Sequence, residues 1–185
     1  MVLLGYRRVM ARRIVLMGSS CAGKTTLAEQ LAERLGVLHV ELDALHHGPN
    51  WTEATAEELK AKLEGALAPL DGWIADGNYM GKLGTWLIDQ ADTIVWLDLP
   101  LRTSLRRLWR RHRTRIRDRV ELWNGNRENW RNAFVGWNAL FPYTIHAHIG
   151  RKWTWPPTFE GRNVVRLRSP REVEAWLAAQ AGDSG

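Results

Sequence analysis

Residues 18–26 read GSSCAGKTT, which sets Gly18, Gly23, Lys24 and Thr25 in the spacing G-x-x-x-x-G-K-T. The apolar run Ile14–Met17 in front of it reads as a short buried strand. Behind it, Leu27, Ala28, Leu31, Ala32 and Leu35 recur at three and four until Gly36 stops the pattern, which predicts an amphipathic helix. Few folds accept a strand that turns on glycines directly into a helix. The glycines let the backbone bend so that the N–H groups of Ser19, Ser20, Cys21 and Ala22 converge on one point. The helix start near Lys24 aims its positive dipole end at the same point. Such a nest takes phosphate oxygens, so the segment is expected to be a P-loop that binds ATP and Mg²⁺. Lys24 would then reach the β- and γ-phosphates, Thr25 would ligate the metal and Thr26 would contact the α-phosphate. Cys21 is read as a small residue lending its backbone N–H; the alternative is a thiol activated by the helix end and Lys24.

Four further strands are expected, over Val37–Leu42, Trp73–Ala75, Thr93–Leu97 and Asn163–Leu167. Between them, Thr55 and Glu58 form a capping box for a helix with Leu59, Leu63, Ala66 and Leu67 on its apolar face, ended by Pro69. Leu101, Leu105, Leu108 and His112 mark one side of an arginine-rich helix. Trp130, Phe134, Trp137 and Phe141 suggest another, interrupted near Pro142. Ser169, Pro170 and Glu172 open a last helix with Val173, Trp176 and Leu177 inward. Strands alternating with helices predict an α/β fold of three layers, a parallel sheet with helices on both faces. One domain spans 1–185, with 1–11 as an extension (Met10 an alternative start), an arginine-rich lid insertion over about 102–131, and 181–185 as a frayed tail.

Composition narrows the partners. The 185 residues are 45% hydrophobic, enough for one sizeable core, and no apolar run is longer than a strand needs. A single cysteine excludes an intramolecular disulfide framework and points to a reducing cytoplasm. Net charge is +6, which favours anionic partners. The eleven tryptophans are scattered, and packing in core or cleft is expected for most of them.

Three aspartates fall at predicted strand ends, where open α/β sheets bind ligands: Asp43, Asp76 and Asp98. Asp43, beside His46, His47 and Trp51, is the candidate general base at an acceptor site. Asp76 suits water-mediated contact to Mg²⁺ or acceptor binding. Asp98 has the pattern of a Walker B acid, although the Leu-Pro that follows fits a helix cap equally well. Two adjacent histidines with no further Cys or His nearby make a poor metal site.

Phosphoryl transfer spreads charge over oxygens that cations must neutralise. Arg102, Arg106, Arg107, Arg110, Arg111, Arg113, Arg115, Arg117 and Arg119 crowd one stretch. A lid built from it would also exclude water. Arg107, Arg111 and Arg115 are the expected phosphate contacts, Arg107 on the nucleotide and Arg111 and Arg115 in catalysis beside Lys24, Asp43 and Asp76. The rival reading is a nucleic-acid-binding ATPase whose arginines neutralise backbone phosphates, though no recognisable nucleic-acid module accompanies them. No Asn-Lys-x-Asp guanine-reading segment is present, which argues against a GTPase switch.

The segments GSSCAGKTTLA, ELDALHHGPNWTE, WIADGNY, ADTIVWLDLP and ELWNGNRE, together with the arginine stretch, resemble the adenylate-kinase-related P-loop kinases, and among them the FlaR-like or DNA topology modulation group. The resemblance implies a parallel sheet of order 2-3-1-4-5 and ATP as phosphoryl donor to a small-molecule or nucleotide acceptor. It also implies an acceptor pocket around Asp43, Trp51, Asp76 and Asn78, with adenine near Arg168–Pro170. Adenylate kinases proper carry Asp-Gly-Phe-Pro-Arg at the third strand. Here the segment is Asp76-Gly77-Asn78-Tyr79, which lacks the arginine that meets an acceptor phosphate and argues against AMP. ELWNGNRE has no chemical account at this level; Asn124, Asn126 and Arg127 are candidates for holding the lid base or touching substrate.

Overall fold

A computed structural model of the chain describes residues 13–134 and 139–180. The expected extension, the frayed tail and Trp137 lie outside them. Strand β1 (Arg13–Gly18) leads through the glycine loop into α1 (Lys24–Leu35), and β2 (Leu38–Glu41) runs straight into the short α2 (Leu42–His46). Helix α3 (Ala56–Leu67) precedes β3 (Trp73–Asp76), followed by the short α4 (Met80–Leu83) and α5 (Trp86–Asp89). Then come β4 (Thr93–Leu97), α6 (Leu101–Arg117), α7 (Trp130–Phe134), α8 (Leu140–Thr158), β5 (Val164–Leu167) and α9 (Pro170–Ala179).

The five strands form one parallel sheet of order β2-β3-β1-β4-β5, the expected order. Alternation along the central strand builds the three layers. Val15 and Met17 face a cluster with Leu59 and Leu63 of α3, while Ile14 and Leu16 face Leu27, Ala28 and Leu31 of α1 and Leu177 of α9. A fully buried Leu contributes about 1.5–3 kcal/mol, so Leu59, Leu63 and Leu67 suffice to seat α3. Its capping box is formed: Glu58 N–H donates to Thr55 Oγ1, and Thr55 N–H to Glu58 Oε2. At α9 the Ser169 hydroxyl accepts from Glu172 N–H, and Glu172 in turn accepts from Arg168 N–H.

Two element expectations need correction. Strand β2 ends at Glu41, and Leu42 begins α2, where burial of Leu42 and His46 on one side of a single helical turn decides the geometry. Pro142 interrupts nothing. It sits in the first turn of the nineteen-residue α8, where a helix has no use for its missing N–H. Pro156 and Pro157 lie in the last turn of the same helix.

Candidate functional site

A cleft of about 1070 Å³ opens at the carboxyl ends of β2 and β3, floored by the glycine loop and walled by α6, α8 and the segment after β2. Two glycines shape its floor. A Cβ on Gly18 would stand 2.8 Å from the Leu97 carbonyl oxygen, and Gly23 takes φ 102° as it caps α1. Asn78 closes on Gly18 with both amide atoms, accepting from its N–H at 3.0 Å and donating to its carbonyl. The resemblance implied a place in the acceptor pocket for Asn78; it lines the cleft, and its amide also braces the loop.

Lys24 curls back over the loop, its ammonium 3.3 Å from the carbonyl oxygens of Gly18 and Ser19. Burial lowers its pKa, and the carboxylates of Asp43 and Asp76 oppose that shift. The Thr25 hydroxyl donates to Asp76 Oδ2 at 2.7 Å, and His39 Nε2 lies 3.3 Å from Asp76 Oδ1. Asp76 is 2% exposed, and its bond to His39 raises the histidine pKa. Glu41 stands beside Asp76 in the β2–β3 register. Burial pushes its carboxyl up, opposed by the Trp123 indole N–H donating at 2.8 Å. Asp43, in the first turn of α2, accepts a 2.6 Å hydrogen bond from the Tyr79 hydroxyl.

Ser20, Cys21, Ala22, Gly23, Lys24, Thr25 and Thr26 all line the cleft. The Ser19 side chain turns away from it, sharing a 2.9 Å hydrogen bond with His148 of α8. Burial raises the Cys21 pKa, and Arg111, Lys24 and Arg115 nearby oppose that shift. Arg107 donates to the Ala22 carbonyl at 3.1 Å. Arg115 pairs with Glu128 at 2.7 Å, whereas Arg111 faces the cleft with a buried Nε that has no partner among the described residues. Asp98 is apart from this group: it pairs with Arg166 at 2.6 Å and does not line the cleft, which leaves Asp76 as the acid beside Thr25.

Several residues in or behind the cleft escaped the sequence reading. His39 and Glu41 alternate along β2 towards Asp76, a signal visible only with the strand order known. Tyr79 and Arg151 had no signal at all; Arg151 reaches the cleft from α8, where burial lowers its pKa and its Tyr143 partner opposes that. Among the described residues no cluster of three or more His, Cys, Asp or Glu is arranged for a metal. The Thr25 hydroxyl and Asp76 carboxylate are hard oxygen donors, which suits a Mg²⁺ ion that keeps most of its other positions for water and phosphate. No helix among the described residues is long and apolar enough to cross a membrane.

A family profile described as AAA domain matches residues 13–68, the stretch from β1 to the end of α3. No curated protein matches the chain in sequence. Among solved structures, shikimate kinase from Acinetobacter baumannii in complex with shikimate is similar at TM-score 0.56 and 18% identity, over 91% of this chain and 90% of that one. Shikimate kinase from Bacteroides thetaiotaomicron gives TM-score 0.54 and 17% identity, over 90% and 94%. Deoxyadenosine kinase from M. mycoides with bound dATP gives 0.53 and 11%, over 90% and 98%. With its loop, sheet order and layers, the chain has the fold of the P-loop kinases.

Proposed function

We propose that the protein is an ATP-dependent phosphotransferase that moves the γ-phosphoryl group of Mg·ATP to a hydroxyl or phosphate oxygen of a small-molecule or nucleotide acceptor. The observation that carries this reading is the pairing of Thr25 with Asp76 beside Lys24, at the floor of a cleft that extends past the loop to Asp43. A cleft of this size holds more than a nucleotide triphosphate needs for its phosphates alone. Resemblance to the FlaR-like group belongs to the same reading and rests on the segments quoted above.

In this mechanism the loop N–H groups and Lys24 grip the donor phosphates, with Lys24 exchanging the Gly18 and Ser19 carbonyls for phosphate oxygens. Thr25 and Asp76 would hold Mg²⁺, which supplies neutralisation of phosphate charge. Asp43 accepts the proton of an attacking hydroxyl, oriented by Tyr79. Arg111 and Arg115 face the cleft and stabilise charge on the transferring group, with Arg107 holding the loop.

Incubating the protein with Mg·ATP and panels of nucleosides, nucleotides, sugars and small alcohols, then reading masses, tests it. One class is expected to gain a phosphoryl group with matching ADP release. Saturable Mg·ATP binding with no acceptor consumed would overturn the kinase reading.

A further inference from the structure

The ELWNGNRE segment forms a loop that is the structural twin of the loop carrying Trp51. Residues 47–53 and 121–127 are each closed by an antiparallel bridge, His47 to Glu53 and Glu121 to Arg127. In both, the second N–H donates to the sixth carbonyl at 2.7 Å and the sixth N–H to the third carbonyl at 3.2 Å. In both, the fourth residue is an asparagine in the left-handed region, Asn50 at φ 55° and Asn124 at φ 56°.

The two loops clasp each other. The side chain of Asn126, 4% exposed, accepts from Trp51 N–H at 2.8 Å and donates to Gly48 and Trp123 carbonyls at 2.9 and 2.8 Å. Asn124 donates to the His47 carbonyl at 2.6 Å, and Trp123 donates to Glu41. The next residue out of the clasp, Glu128, takes His112 Nδ1 at 2.5 Å and Arg115 at 2.7 Å on α6. One continuous set of bonds therefore joins the segment after Asp43 to the helix that aims Arg111 and Arg115 at the loop.

We propose that Asn126 is a positioning residue: through the clasp and Glu128 it ties the acceptor-side loop 47–53 to α6 and so fixes the cleft arginines. This rests on the phosphotransferase reading for its catalytic consequence, but not for the mechanical link itself. A buried amide using three hydrogen bonds across two segments holds geometry tightly, and a small misplacement of charge-stabilising groups costs rate more than donor binding.

The test compares wild type with Asn126→Ala, Glu128→Gln and the double variant, using Mg·ATP alone with water as acceptor. The affinity for Mg·ATP is expected to stay within about twofold, because the P-loop is untouched, while ADP release falls about 10- to 100-fold. The double variant should lose no more than the worse single one, since both cut one linkage. Amide exchange should quicken together in 47–53 and 111–117 and remain unchanged in 24–35. Parallel loss of affinity and rate, unchanged rate in a folded variant, or additive losses would overturn the proposal. Should wild type bind Mg·ATP without passing phosphate to water, the phosphotransferase reading is decided by the acceptor panel and the linkage by the exchange data alone, where faster exchange confined to 121–127 would overturn it.

Discussion

The hydroxyl of Thr25 and the carboxylate of Asp76 meet at 2.7 Å, although 51 positions separate them in the chain. Parallel pairing of β1 with β3 sets Leu16 opposite Asp76, so the acid lands beside the loop that leaves β1. A neutral amide there would still accept from Thr25 but could neither pair with a protonated His39 nor offer a charged ligand. Asp76→Asn should therefore remove most of the Mg²⁺ dependence of ATP binding. Titrating ATP with and without magnesium checks it, and an unchanged magnesium effect would reassign Asp76 to structure.

Lys24→Ala should cut turnover by at least about 100-fold, because Lys24 is the cation seated on the loop that grips the donor phosphates. The melting temperature should hold or rise, since burial disfavours the ammonium and its hydrogen bonds to the two carbonyls are long, at 3.3 Å. ADP release and thermal melts decide this, and turnover near wild type would make the loop vestigial.

Asp43→Asn should cut acceptor-dependent turnover by about 100- to 10,000-fold with Mg·ATP affinity nearly unchanged. Its Tyr79 contact survives in the amide, so the fold is spared. Equal losses in affinity and turnover would assign Asp43 to the architecture of the cleft.

Asn78→Ala should weaken ATP binding and stability together. It leaves the Gly18 N–H and carbonyl without their partner, a loss of about 1–3 kcal/mol for a part-buried pair. Denaturant melts alongside ATP titration measure both; a fall in acceptor binding alone would leave Asn78 to the acceptor pocket and remove its role in the loop.

Two histidines shift stability in opposite directions with pH. The pKa of His39 is raised, chiefly by its hydrogen bond to Asp76, so its contribution is full below the ordinary value of 6.5 and fades as pH rises through the folded pKa. His148 is lowered by burial, so its contribution is present above 6.5 and is lost as pH falls through its folded pKa. His39→Gln should flatten the alkaline side of a stability profile and His148→Gln the acid side. Melts between pH 5 and 8 (about the histidine range) read the slopes, and unchanged slopes would remove the linkage.

Local chemistry determined the parts of this protein that need only neighbours in sequence. The glycine loop, the caps at Thr55 and Ser169, and the apolar alternation of β1 each follow from residues a few positions apart, and each formed as its residues dictate. Helix α8 was illegible for a physical reason. Its inward face carries Thr144, His148, Arg151 and Trp155, while Ile145, Ile149 and Trp153 point outward at 37%, 53% and 80% exposure. A helix that lines a polar cleft inverts the pattern by which helices are read. The sequence favoured Asp76 over Asp98, but only the tertiary structure set it against the Thr25 hydroxyl, because strand order decides which strand end adjoins the loop. It alone gave ELWNGNRE a role, because a clasp between loops more than 70 residues apart is made of side-chain amides meeting backbone that no local pattern records.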